Sequence, residues 1–185
     1  MSRIRYDRLP TERVNPGTGN LDRLSAAGIA RLMNRADRRA VWAVGRAAPA
    51  LGRAVDLIVR ALSRRGRLIF VGAGTSGRLG VLEAAECPPT FGTRPDMILG
   101  LMAGGEDAVF RAKEGSEDRA DLGEKAVFGV TSKDVVIGIS ASSVTPFVRA
   151  ALLKARARKA KTVLVTCAPN TRLKSLADVV VAIRT

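Results

Sequence analysis

Apolar residues recur at helical spacing through Leu24, Ile29, Leu32 and Met33, and again through Val41, Val44, Leu51, Val55, Ile58 and Leu62. Residues three, four and seven apart share one face of a helix, so the pattern predicts amphipathic helices with a break near Pro49. They follow a polar arm that reaches Asn20. From Arg67 onward the pattern changes. Short apolar runs (Leu68 to Val71, Met97 to Met102, Val135 to Ile139, Thr162 to Thr166 and Val179 to Ile183) alternate with helical stretches. Near-continuous apolar runs, in place of alternation, predict strands buried on both faces, hence a parallel sheet with helices on either side. The chain therefore reads as α/β with an N-terminal helical segment. Residues 1–65 are expected to form an arm and helices that pack on an α/β domain of residues 66–185.

In such sheets ligands bind beyond the carboxyl ends of the strands, where the strand order reverses. The loops Gly72 to Gly77 and Ser140 to Pro146 each follow a predicted strand and open a helix, so both belong on that edge. The first reads Gly72-Ala73-Gly74-Thr75-Ser76-Gly77 and matches the dinucleotide fingerprint GxGxxG. A dinucleotide site also wants an acid at the end of the second strand for the ribose, and here that strand runs into Ala103-Gly104-Gly105 before Glu106. Thr75 and Ser76 instead offer two hydroxyls to an anion, and a helix N-terminus adds unpaired N–H groups and partial positive charge. That combination suits a compact phosphate monoester, with Gly74, Thr75, Ser76 and Gly77 as its cradle; a purely structural turn is the bland alternative.

The second loop, Ser140-Ala141-Ser142-Ser143-Val144-Thr145-Pro146, carries four hydroxyls ahead of a proline suited to the first helical turn. Ser142, Ser143 and Thr145 are candidates for the other half of the phosphate grip; ordinary helix capping would use the same residue types. Two acidic clusters lie near these loops in sequence. Glu86 is expected to end the helix that begins near Arg78, because Cys87-Pro88-Pro89 should not continue it. A carboxylate at a helix C-terminus faces a dipole that disfavours negative charge, a setting for a general acid. In Glu114-Gly115-Ser116-Glu117-Asp118, Ser116 could simply cap a helix with acids in its first turn. The residues alone do not choose among these acids.

Composition narrows the chemistry. The chain has no histidine, so proton transfer falls to Glu, Asp, Lys, Tyr or Cys. Its 185 residues carry a formal charge of +14. The basic residues are spread along the whole chain with one Trp and one Tyr, which argues against nucleic acid as a partner. Cys87 and Cys167 are too few for a disulfide framework and lack metal-ligand spacing. No run approaches the ~18 apolar residues of a membrane span, and the N-terminus lacks the apolar stretch of a signal peptide, so a cytoplasmic location is expected.

Longer motifs follow one another in a fixed order: Thr11-Glu12-Arg13-Val14-Asn15-Pro16, Leu21-Asp22, GAGTSGR at Gly72 to Arg78, ECPPTFG at Glu86 to Gly92, AGGE at Ala103 to Glu106 and EGSED at Glu114 to Asp118. In these the chain resembles the N-acetylmuramic acid 6-phosphate etherases of the sugar isomerase (SIS) domain superfamily, whose sheet is flavodoxin-like. The resemblance implies a cytoplasmic homodimeric carbon–oxygen lyase of peptidoglycan recycling that needs no cofactor or metal. It releases D-lactate from the sugar phosphate and leaves N-acetylglucosamine 6-phosphate. Carried over by motif, Glu86 corresponds to the acid that helps lactate leave and later activates water, and Glu117 to the base at C2. Thr75, Ser76, Ser142 and Thr145 correspond to phosphate contacts, and the family's dimer implies a site completed by a neighbouring subunit.

The family carries Ser-Gly-Arg-Thr-Pro where this chain has Ser142-Ser143-Val144-Thr145-Pro146. It also continues past the position of Thr185 into a further phosphosugar loop and a helical region, so the sequence is expected to be a C-terminally shortened form. Two other functions fit the same motifs: a noncatalytic phosphosugar-binding regulator resembling glucokinase regulatory protein, and an aldose–ketose isomerase of the same fold. Retention of both glutamates argues against the first, and the lack of histidine against the second.

Overall fold

The computed structural model describes residues 9–168 and 172–184; the start of the N-terminal arm, residues 1–8, lies outside them. Short 3₁₀ turns at Pro10–Glu12, Pro16–Thr18 and Leu21–Arg23 lead into helix α1, Ala26–Arg46. Asn15 and Ser25 cap their turns by accepting the N–H groups of Gly17 and Gly28. Helix α2 spans Ala48–Ser63, and the break from α1 falls at Ala47, with Pro49 inside the first turn where its missing N–H costs nothing.

The remainder is a repeating strand–helix unit. It runs β1 Leu68–Gly72, α3 Gly74–Phe91, β2 Ile98–Met102, α4 Asp107–Phe110, α5 Ala120–Ala126, β3 Val135–Ile139, α6 Pro146–Ala157, β4 Lys161–Thr166 and β5 Val179–Ala182. All five strands are parallel, in the order β2-β1-β3-β4-β5. The order reverses between β1 and β3, the switch point at which doubly wound sheets open a crevice.

Side-chain alternation sorts the core into two layers. Leu68, Val135, Ile137, Val163, Val179 and Val181 pack with Ala47, Ala54 and Ala61 of the α2 region. Ile69, Val71, Val136 and Leu164 pack with Phe147, Val148, Ala151, Leu152 and Ala155 of α6. Helix α3 joins α2 on the first face, its Gly80 lying against Phe70. The expected α/β architecture, with helices on both faces of a parallel sheet, is the one observed.

At the amino ends of the strands two acids tie the sheet together, Asp134 buried and Asp178 exposed. Asp134, 2% exposed, accepts from the backbone N–H of Arg67 and Thr131 at 2.8 Å each and pairs with the Arg67 guanidinium at 2.8 Å. Burial alone would push its carboxyl up; the Arg67 guanidinium and the two N–H groups outweigh that and hold it below the usual aspartate range. Asp178 does the same for β4 and β5, accepting from Thr162 N–H at 2.8 Å and Thr162 Oγ1 at 3.0 Å.

Among the described residues no helix is long and apolar enough to cross a membrane.

Candidate functional site

Helix α3 starts two residues after β1, with extended Ala73 as its N-cap and no side chain closing the end. Its first-turn N–H groups therefore have no intrahelical acceptors and face the loop edge. Gly74 is the first helical residue, at φ 55, and Thr75, Ser76 and Gly77 complete the turn. Thr75 is exposed and Ser76 half-buried, whereas Gly77 is buried under the turn. A Cβ on Gly77 would lie 2.6 Å from Met102 Cβ and 2.9 Å from the Gly72 carbonyl oxygen, so only glycine lets α3 come this close to β1 and β2.

The second loop is held by its own hydroxyls. Ser140 Oγ lies 2.9 Å from Thr145 Oγ1 and accepts the Ser143 N–H at 3.1 Å. Ser142 Oγ accepts the Val144 N–H at 3.4 Å. Thr145 is the N-cap of α6, and its side chain does not close the helix end. Ser143 sits apart from the other hydroxyls of the loop: at φ 59 and 5% exposed, it turns its hydroxyl inward to Thr166 Oγ1.

Between β2 and α5 the chain wraps over the same edge. Arg78, on the second turn of α3, donates from Nε to the Val109 carbonyl at 2.8 Å and from Nη2 to the Ala108 carbonyl at 2.7 Å. This clamps the C-terminal carbonyls of α4 to helix α3. Beyond α4, Gly115 at φ 75 turns the chain into a 3₁₀ turn, Ser116–Asp118. Ser116 caps no helix N–H; its hydroxyl donates to the Lys113 carbonyl at 2.6 Å. Lys113 Nζ reaches the Gly104 carbonyl at 3.2 Å and Asp107 Oδ2 at 2.9 Å.

These three segments enclose a cavity of about 300 Å³, lined among others by Gly74, Arg78, Lys113, Glu114, Glu117 and Thr145. Of the residues singled out from sequence, the fold brings Gly74, Thr145 and half-buried Glu117 to one cavity wall. Thr75, Ser76 and Ser142 belong to the loops that form its rim but do not line it. A second void of about 560 Å³ adjoins it, sharing Met102, Lys113, Glu114 and Ser116. The free thiols of Cys87 and Cys167 line neither.

Glu86 stands apart. The helix does not stop at Cys87: α3 continues through Pro88 and Pro89 to Phe91, and Gly92 at φ 63 closes it by donating its N–H to the Pro88 carbonyl. Glu86 is thus an exposed mid-helix residue rather than a C-terminal one, twelve positions or about 18 Å along the helix axis from Gly74. Its helix face, at spacings of four and seven, carries exposed Leu82 and Leu79. Arg78 and Lys113 received no role in the sequence reading. For Arg78 the signal was available, since it ends the glycine motif that opens α3; Lys113 is brought to the cavity only by the folding of its loop.

A family model described as the glucokinase regulatory protein N-terminal SIS domain matches residues 50–156, the span from α2 through both loops to α6. The chain belongs to this SIS domain family. The SIS chain is similar to curated N-acetylmuramic acid 6-phosphate etherases, with 48% identity to that of Picosynechococcus over 87% of the chain and 54% of the relative. The etherase of Crocosphaera subtropica is 47% identical over 92% of the chain and 57% of its own length. The chain thus spans about half the length of the curated relatives it matches. Among solved structures, a phosphoheptose isomerase from Francisella tularensis has the same fold, with a TM-score of 0.66 and 19% identity over 84% of this chain and 86% of that one.

Proposed function

We propose that this SIS domain carries the phosphosugar site of an N-acetylmuramic acid 6-phosphate etherase. The observation that carries the reading is a half-buried carboxylate, Glu117, in the same 300 Å³ cavity as an uncapped helix N-terminus and Thr145. A phosphate sits naturally on the α3 N-terminus, with the Thr75, Ser76, Ser142 and Thr145 hydroxyls around it. Anchored there, the open-chain sugar presents C2 to Glu117. The carboxylate takes the C2 proton, the C3–O bond breaks and D-lactate leaves. Water then adds across the double bond, its oxygen to C3 and a proton to C2, giving N-acetylglucosamine 6-phosphate. A regulator that only binds the sugar needs no base in its cavity, and the high identity to etherases supports the catalytic reading over it.

Glu86 protonates the departing lactate and later activates water in this reading, and it does so for a neighbouring subunit. Its exposure on α3 beside Leu79 and Leu82 supports an apolar dimer face that carries the acid to the partner's cavity. Residues 1–65 serve as an arm and helices that pack on the unit of residues 66–185, and the enzyme works in the cytoplasm in peptidoglycan recycling.

The test is D-lactate release and C2 proton exchange with solvent. Glu117→Gln should lower both by about 10²–10⁴-fold, the range of a general base. Undiminished exchange would exclude Glu117 as the base. Mixing Glu86→Gln with Glu117→Gln chains should restore activity, because each mixed dimer rebuilds one complete site; no recovery would exclude a site shared between subunits.

A further inference from the structure

The cavity that holds Glu117 is also lined by two cations, and they are held differently. Two of the five Arg78 donors are committed to the α4 carbonyls of Ala108 and Val109, so this guanidinium is fixed in place as the clamp of the loop. Lys113 differs. Its ammonium contacts the Gly104 carbonyl at 3.2 Å and Asp107 at 2.9 Å, and the ion pair is open to water, with Lys113 45% and Asp107 83% exposed. Such pairs contribute little, so exchanging Asp107 for another carboxylate costs almost nothing. A third ammonium proton remains for a new acceptor.

Position matters as much as charge. Lys113 belongs to both walls: it lines the 300 Å³ cavity with Gly74, Glu117 and Thr145, and the adjoining 560 Å³ void with Arg119 and Phe147. A group projecting from a sugar anchored at the α3 N-terminus toward the second void passes Lys113. The other charges facing the cavity are Glu114 and Glu117, both repulsive to an anion. Lys113 is the cation common to both spaces, placed to receive an anionic substituent that reaches from one to the other.

We propose that Lys113 receives the carboxylate of a ligand that bears both a phosphate and a carboxylate, and so selects acid-substituted phosphosugars over plain ones. The proposal rests on the phosphosugar reading above and assigns its second anion. Lys113 is a specificity residue here: it moves no proton and forms no bond to the reacting carbons.

Calorimetric titration of the Glu117→Gln chain, in which turnover is blocked, tests it with two ligands that differ in the acid. N-acetylmuramic acid 6-phosphate carries the carboxylate and N-acetylglucosamine 6-phosphate lacks it. Adding Lys113→Met should weaken the first by about 10- to 100-fold, the scale of one hydrogen bond to a charged group, and the second by less than about 2-fold. Lys113→Arg should keep the preference. Equal weakening of both ligands would make Lys113 a structural or phosphate residue, and no weakening of either would remove it from the site; both results overturn the proposal. If neither ligand binds while Lys113 is intact, the phosphosugar reading itself falls, and this proposal with it.

Discussion

Replacing Gly77 and Gly74 by alanine should produce opposite kinds of damage although the two lie within one helical turn. At Gly77 a methyl would meet Met102 Cβ at 2.6 Å, the Gly72 carbonyl oxygen at 2.9 Å and the Gly72 carbonyl carbon at 3.0 Å. Two of these three atoms are backbone of β1 and cannot rotate away. Relief requires α3 to lift from the sheet by roughly 1 Å, since ordinary contacts begin near 3.4 Å. Overpacking of this kind costs about 3 kcal/mol, and the better helix propensity of alanine returns about 1 kcal/mol. A net loss of about 2 kcal/mol lowers the melting temperature of a chain this size by about 4–8 °C.

At Gly74 nothing lies within 4 Å of the added methyl, and the cost is the left-handed backbone at φ 55. That is about 1–2 kcal/mol, partly offset by the stiffer unfolded chain. Thermal unfolding by circular dichroism, repeated with saturating N-acetylglucosamine 6-phosphate, separates the two cases. Gly77→Ala should unfold lower and lose most of its ligand-induced stabilisation, because the cradle has moved. Gly74→Ala should lose less of both. A Gly77→Ala chain that melts at or above the unmodified temperature would refute the close-approach argument for this helix.

The amino end of the sheet should behave differently from the carboxyl end. Asp134→Ala strips acceptors from Arg67 and Thr131 and should cost about 3 kcal/mol, or about 6–12 °C in melting temperature, with phosphosugar affinity unchanged. Because the folded carboxyl of Asp134 lies below its ordinary value of 3.8, its contribution is complete above that value and is lost as pH falls through the lowered one. The stability gap between the native chain and Asp134→Asn, measured by urea unfolding, should accordingly shrink on acidification below 3.8. Arg78→Ala should cost about 2 kcal/mol and expose residues 104–118 to limited proteolysis, and Arg78→Lys should recover less than half of the loss, since a point charge cannot span both carbonyls.

Strands were the most legible part of the chain. The predicted run Val135 to Ile139 is β3 residue for residue, and the others end within about one residue of their observed limits, because burial on both faces leaves little room for polar positions. The helix around Glu86 was misread for a local reason. Pro88 and Pro89 remove two N–H groups whose partners would be the Ala84 and Ala85 carbonyls, and Ala85 is exposed and Ala84 only half-buried, so water satisfies what the prolines cannot. Proline tolerance in a last turn depends on exposure, and exposure is a tertiary property. The same holds for the hydroxyl run of the second loop. Four hydroxyls in sequence look equivalent, yet a positive φ at Ser143 sends its side chain inward to Thr166, a residue 23 positions away. Lys113 carried no mark at all, since its significance comes from Gly104, Asp107 and the cavity wall meeting at one place.

The two edges of one sheet differ in polar satisfaction, and the proposed site lies on the less satisfied one. At the amino ends donors of Arg67, Thr131 and Thr162 find the carboxylates of Asp134 and Asp178, all at 3.3 Å or less. Such a network resists change and has nothing left for a ligand. At the carboxyl ends the helices α3 and α6 begin without side-chain caps, next to exposed or half-buried hydroxyls and a half-buried glutamate. Those unspent donors cost stability, and in the proposed reading an anion bound across both helix starts offsets that cost. The stabilisation gained on ligand binding should therefore come almost entirely from this edge.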